Sequence, residues 1–283
     1  MATTATKKKK DKKQLRGGEI VSRMLAAEGV EKVFGIIDGT YFGLYGTLGE
    51  NDIELVTPRH ETCTVHMAGT YARLTNKLGV CMASNGPGVA NVLPGIAVEN
   101  AEGNRVLLIT SSRRVPIIYP DRGGTFQYFD QVDVIKPMAK WSCAVPSPDR
   151  IAEVMRRALR LCWTGRPGVV HVEIPENIMN ATYTPDPSWF RDPTGYRMMD
   201  PLEPTPNQVV QAARMLSEAR LPLIHAGSGV LWAGAEAELQ ELAELIAAPI
   251  TTSWAGRCSV DERSNQAISM VYLDTNTKAR NDA

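Results

Sequence analysis

A chain of 283 residues, 43% hydrophobic and 22% charged, has an ordinary globular composition and is long enough for two domains. Its 31 basic and 31 acidic side chains cancel, which excludes a nucleic-acid binder driven by bulk electrostatics; the one basic run, within residues 7–13, has almost no apolar partner and reads as a disordered tail over residues 1–14. No apolar run approaches the ~18 residues of a membrane span, and five scattered cysteines without CxxC spacing are those of a reducing compartment, so the expected location is cytoplasmic.

Apolar residues at Ile20, Val21, Met24 and Leu25 predict a helix over 20–27. Residues 33–37 predict a short buried strand, followed by the turn Asp38-Gly39-Thr40 and a weak helix through Leu44. Alternation over 53–57 predicts a second strand, ended by Pro58. Arg59, His60 and Glu61 then stand at that strand's carboxyl end, ahead of a helix over about 62–74. Ligands in open α/β sheets sit in the crevice outside the carboxyl ends of strands, which makes Glu61 a candidate binding carboxylate. By local pattern alone it suits equally well a helix-start carboxylate favoured by the macrodipole. The helix has a small-residue face of Ala68, Gly69 and Ala72. Glycine within a helix costs ~1 kcal/mol against alanine, so Gly69 predicts close packing on another helix.

Residues 78–83 predict a strand that feeds the glycine-rich turn 84–88 and a helix over 89–99. The almost wholly apolar 106–110 suits a parallel strand covered on both faces. Residues 111–131 read as a long irregular loop, of a kind that is either functional or disordered. An amphipathic helix over 148–162 leads through a turn at 165–168 to a strand over 169–174, in which His171 reads as a satisfied core or surface histidine rather than a ligand. Cys81 and Cys162 read as core, and nothing in the sequence marks Cys63 as a nucleophile paired with a catalytic histidine. Alternating strands and helices predict an α/β fold with a doubly wound parallel sheet over 15–181. Residues 182–206, with six prolines, read as a linker. Helices over 208–219 and 235–246 and strands over 222–226 and 249–253 form an incomplete second α/β domain, 207–283. Neither the turn 85–88 nor Gly227-Ser228-Gly229 is a GxGxxG or Walker loop, and a tight connection explains each as well as a ligand does.

Taken together, several segments resemble the thiamine-diphosphate-dependent enzymes of the acetolactate synthase type. They are VFGIIDG at 33–39, RHE at 59–61 with HMA at 66–68, NGPGVAN at 85–91, VP at 115–116, FQ at 126–127, MAKW around Lys140, and GRPG with VEIP at 165–175. The resemblance covers about residues 15–180, the family's pyrimidine-binding domain, and from about Pro204 the start of its central domain. It implies that Glu61 hydrogen-bonds a ring nitrogen of the aminopyrimidine and so favours the tautomer that takes the thiazolium C2 proton. By position, Pro87 and Asn91 flank the pyrimidine, Gly39 leaves room above the reacting carbon, and Phe126, Gln127 and Lys140 line the substrate approach. Glu61, Gly39 and Gln127 are thus the expected catalytic positions.

The implied activity is carboligation or decarboxylation of a 2-oxoacid. Sulfoacetaldehyde acetyl transfer and simple decarboxylation are alternatives within the family, and a non-catalytic chain that dimerises or binds a partner is an alternative outside it. The implied cofactors are thiamine diphosphate and Mg²⁺, with FAD open. The family holds diphosphate and metal through a later Gly-Asp-Gly motif, which does not occur here, so no metal ligand is expected in this chain. Its sites form between two chains, so the expected partner is a second copy in a homodimer or tetramer, or a separate chain carrying the diphosphate-binding domain. Ile37-Asp38 replaces the usual Pro-Gly, Asn85 the usual Ser, and Tyr128 the acid that often follows FQ.

Overall fold

The structure is a computed structural model that describes residues 14–119 and 127–268. Six strands form one parallel sheet: β2 (Lys32–Gly35), β3 (Glu54–Val56), β4 (Gly79–Ala83), β5 (Val106–Ser112), β6 (Trp141–Ala144) and β7 (Val169–Pro175), in the order β3-β2-β4-β5-β7-β6. The strands alternate between two apolar layers. Val80, Met82, Leu107, Ile109, Val170 and Val172 point to one face, where α1 (Gly17–Ala27), α2 (Phe42–Leu48) and α7 (Ile151–Trp163) pack. Cys81, Ala83, Val106, Leu108 and Val169 point to the other, under α3 (Glu61–Thr75), α4 (Pro87–Glu102) and the short α6 (Gln131–Ile135). Burial on both faces is why these strands read as unbroken apolar runs. Cys81 and Cys162 are indeed core and Cys63 is exposed.

The chain leaves β2 for β3 on one side and returns over β2 to β4, so the topological switch lies between β2 and β4. Gly69 makes the predicted close approach of α3 to α4, since a Cβ there would stand 1.8 Å from Glu99 Oε2. Glu99 is buried, takes Asn104 Nδ2 at 2.6 Å and faces His66 Nδ1 at 2.7 Å. His171 is fully buried, bonded to Thr110 at 2.8 Å and Ser142 at 2.7 Å, and desolvation lowers its pKa to about 3.

The segment read as a linker is half strap. β8 (Thr182–Tyr183) pairs antiparallel with β1 (Leu15–Arg16). Trp189, Phe190 and Tyr196 pack on the core, and Arg197 pairs with the buried Glu28 at 3.0 Å. Aromatic residues between the prolines give this stretch apolar area to bury, which proline density alone conceals. Residues 198–205 are exposed.

Short helices α5 (Val115–Ile118) and α8 (Glu176–Asn180) cap the sheet's carboxyl end. The second unit holds α9 (Pro206–Glu218), α10 (Ser228–Ala233), α11 (Glu236–Leu245) and the parallel pair β9 (Ile224–Ala226) and β10 (Ile250–Thr252). It meets the first through Arg73, which donates to Ala255 O at 2.7 Å, and through Arg105, stacked 4.0 Å from the Trp163 ring centre and 4.7 Å from that of Trp232. No described helix is long and apolar enough to cross a membrane.

Candidate active site

Three loops converge at the switch point, those following β2, β3 and β4. Glu61 opens α3 because His60 caps the helix, its Nδ1 accepting from Thr62 N at 3.2 Å. The half-buried Glu61 accepts from Asn91 Nδ2 at 3.0 Å, and Thr62 donates its hydroxyl to the Asn91 carbonyl. A Cβ at Gly88 would stand 2.5 Å from Ser84 Oγ and 3.7 Å from Glu61 Oε1, so glycine lets the first turn of α4 close on this carboxylate. Pro87, at the first position of α4, and Asn91 are both exposed on the same side.

The glycine turn is fixed by its surroundings. Gly86 has φ +69°, and a Cβ on it would lie 2.6 Å from Gln127 Cα. Gly86 N donates to Gln131 Oε1 at 2.9 Å, Asn85 N to Ser111 Oγ at 3.0 Å, and Asn85 Nδ2 to Gln127 O at 3.1 Å. Gln131 Nε2 donates to Ser111 O at 2.9 Å and to Glu173 at 2.6 Å. Burial pushes the Glu173 carboxyl above its usual range, and the hydrogen bond from Gln131 offsets part of that.

Ser111 also meets Thr40 Oγ1 at 2.6 Å, and Asp38 accepts from Thr40 N at 2.9 Å. The loops after β2, β4, β5 and β7 are thus one hydrogen-bonded frame. Gly39 lies in it with nothing within 4 Å of where a Cβ would stand, so the protein's own packing leaves that space open. Tyr41, beneath it, has its pKa raised by burial and then by the charges of Asp38 and Glu61.

Of the residues singled out in the sequence, the structure brings Glu61, Pro87 and Asn91 together, sets Gly39 in the same frame and joins Gln127 to the glycine turn through its backbone. Phe126 lies outside the described residues. Lys140 lies elsewhere in this chain. It precedes β6, and because β6 runs parallel to its neighbours, Lys140 sits at the amino edge, opposite the crevice. Its Nζ donates to the Leu161 and Thr164 carbonyls at the end of α7, and burial lowers its pKa. Within this chain it does not stand beside Glu61.

Sequence reading missed Thr40, Ser111, Gln131 and Glu173. Their signal was available: a polar residue at the carboxyl end of an otherwise apolar strand, as in Ser111 and Glu173. It also missed an arginine pair. Register pairs Ser112 of β5 with Pro175 of β7, and the next residues, Arg113 and Glu176, meet at 3.1 Å, while Arg114 Nε reaches the same carboxylate at 2.8 Å.

A half-buried carboxylate held by an amide, beside a glycine-rich turn and open space, can hold a proton on a ring nitrogen of a flat heterocycle. Among the described residues no cluster of three or more His, Cys, Asp or Glu could hold a metal ion. Residues 15–134 match the family described as thiamine pyrophosphate enzyme, N-terminal TPP binding domain, and residues 209–283 that described as thiamine pyrophosphate enzyme, central domain. The chain is 32% identical over 95% of its length to a probable acetolactate synthase large subunit of Methanocaldococcus jannaschii, covering 45% of that protein. It is 32% identical over 92% to an acetolactate synthase of Arthrospira platensis and 30% over 92% to acetolactate synthase isozyme 3 large subunit of Escherichia coli, covering 45% of each. It thus spans somewhat less than half the length of these relatives. A switch-point carboxylate, a glycine turn closed on it and these matches agree: the chain belongs to the thiamine-pyrophosphate-dependent enzymes, among those resembling acetolactate synthase large subunits.

Proposed function

We propose that this chain supplies the aminopyrimidine side of a thiamine-diphosphate site in an enzyme that joins 2-oxoacids, forming an acetolactate-like product. The observation that carries the reading is Glu61, held by Asn91 at the switch-point crevice, with Gly88 shaped to leave its carboxylate clear. Thiamine diphosphate, when bound, supplies the carbon nucleophile and electron sink. The chain's own part is orientation and proton traffic. Glu61 holds the proton at the pyrimidine nitrogen, Pro87 and Asn91 border the ring, and the Gly86 turn, locked by Gln131 and Ser111, sets the depth of the pocket. The gap at Gly39 admits substrate, and Gln127 stands where substrate enters. Pro87 and Asn91 are exposed, which suits closure by a diphosphate-binding domain from a second copy or another chain; Mg²⁺ would be held on that side.

The test is to combine the chain with the diphosphate-binding domain of a relative and supply pyruvate, thiamine diphosphate and Mg²⁺. Acetolactate formation is the expected result. A folded, cofactor-loaded assembly that releases only acetaldehyde would replace carboligation with decarboxylation, and one that never loads cofactor would remove the reading.

A further inference from the structure

We propose that Arg113 and Arg114 form an anion subsite at the rim of the crevice, taking a singly charged oxyanion of the substrate, a carboxylate or a sulfonate. This rests on the catalytic reading above for its location, although not for its chemistry. Both arginines follow the carboxyl end of β5, two and three residues beyond Ser111, which is bonded to Thr40 at 2.6 Å. Their shared counter-ion, Glu176, opens α8, and Asn180 at the other end of that helix donates to Gly39 O at 3.3 Å and Thr40 O at 3.0 Å. The pair therefore lies at the carboxyl end of the sheet, one short helix away from the Gly39 loop.

Two guanidinium groups on one carboxylate leave one positive charge over, held at the carboxyl end of the sheet. The Arg113 and Glu176 side chains are only 18% and 16% exposed, whereas Arg114 is 58% exposed and can swing. Arg113 Nε is buried and makes no hydrogen bond, and Glu176 Oε2, 3.1 Å from Arg113 Nη1, makes none either, so the two groups meet without satisfying one another. A buried donor without an acceptor calls for an explanation, and an arriving oxyanion supplies one. The amino end of the sheet offers a control. Arg105 Nε also lacks an acceptor, but its guanidinium is sandwiched between Trp163 and Trp232. Among the described residues no aromatic ring covers Arg113. A planar guanidinium fork matches a carboxylate or sulfonate in two parallel hydrogen bonds, which a lysine cannot do.

The test is a titration of the 283-residue chain with pyruvate, with isethionate as the sulfonate probe, and with inorganic phosphate, read from the arginine Nε–H signals by NMR. The expected result is a saturable shift at Arg113 with either pyruvate or isethionate, and the stronger of the two names the substrate class. Arg114→Gln should weaken that binding about tenfold, the loss of one charge-assisted hydrogen bond. Glu176→Gln should tighten it about threefold, because an internal competitor is removed. Circular-dichroism melts establish that each variant folds, and Arg113→Lys, which keeps the charge, should recover part of the binding if Arg113→Gln does not fold. Equal shifts with all three anions, insensitive to Arg114→Gln, would mean an adventitious ion only and overturn the proposal, as would no shift at all. The titration contains no thiamine diphosphate, so its failure leaves the Glu61 reading standing, and a failed cofactor contact leaves the arginine shift in place.

Discussion

At the carboxyl end of the parallel sheet, polar side chains tie five loops into a frame around open space. At the amino end, by contrast, Arg105 and Arg197 stack on Trp163, Lys140 covers the last carbonyls of α7, and the second unit closes the surface. Both ends carry buried charge. The difference lies in what satisfies it: rings and backbone carbonyls at one end, and at the other a side-chain hydrogen-bond network beside the exposed Gly39 and Pro87. Charge at the amino end is therefore architectural, and charge at the carboxyl end is available to a ligand. Substitutions should divide accordingly, with chemistry lost at one end and docking or stability at the other.

The largest expected effect is at Glu61. In the chain combined with a diphosphate-binding domain, Glu61→Gln keeps an acceptor but cannot exchange a proton with the ring nitrogen. Deuterium exchange at C2 of the bound cofactor should slow by about 10² to 10⁴, the usual weight of a positioned proton-transfer group. The melt should barely move, since a helix-start carboxylate contributes only ~0.3–1 kcal/mol. Wild-type exchange in the variant would reduce Glu61 to that helix-start role.

Next comes Gly86→Ala. The turn has φ +69°, and the new methyl would stand 2.6 Å from Gln127 Cα, a backbone atom that cannot move aside alone. We expect a loss of about 2–3 kcal/mol in urea unfolding. An unchanged midpoint would show that the Gln127 loop yields freely and that the frame is not rigid.

The third expectation uses pH. His171 has a folded pKa of about 3, below its ordinary value, because it is fully buried. As pH falls through about 6.5 the unfolded chain takes a proton that the folded chain refuses, so stability is complete above that pH and drains below it. The loss reaches about 2 kcal/mol by pH 5. His171→Gln, which can still bond Thr110 and Ser142, should lack this part of the slope in urea titrations between pH 7.5 and 5. Parallel slopes in the two proteins would mean that His171 accepts its proton while folded.

Much of this was legible in the sequence for a physical reason. Strands β4, β5 and β7 are buried on both faces and so appear as apolar runs, and α7 is amphipathic because one face is wet. Glu61 was placed at the crevice by its position beyond a strand's carboxyl end, whereas Pro87 and Asn91 were named from the family resemblance. Strand β6 was not legible. Trp141, Ser142, Cys143 and Ala144 are all half-buried at a sheet edge, so they show neither a run nor an alternation. Lys140, just before it, was named from the family resemblance alone, and local pattern gave no indication of which end of the sheet it occupies. Gln131 was hidden differently: its partners, Gly86, Ser111 and Glu173, lie 45, 20 and 42 residues away, distances over which local pattern carries no information.

The smallest effect is expected at the amino end, and it separates docking from folding. Arg105 is one part of the contact between the two units, with its guanidinium 4.0 Å from the Trp163 ring centre and 4.7 Å from that of Trp232. Desolvation lowers its pKa only to about 10, so it stays charged at neutral pH and keeps its attraction for both rings. Arg105→Leu fills most of the same volume but removes the cation, forfeiting about 1–2 kcal/mol of partly desolvated cation–π attraction. The first domain keeps its sheet and both apolar layers, so its melt should shift little. The second unit should instead detach more often, exposing more of 198–205, which makes no strap contacts. Limited proteolysis followed by mass spectrometry should then show faster first cleavage within 198–205, with the strap through Arg197 still protected by the Arg197–Glu28 pair. If cleavage there is unchanged while the whole chain melts earlier, Arg105 belongs to the first domain's core and the two units are held together by the Arg73 contacts instead.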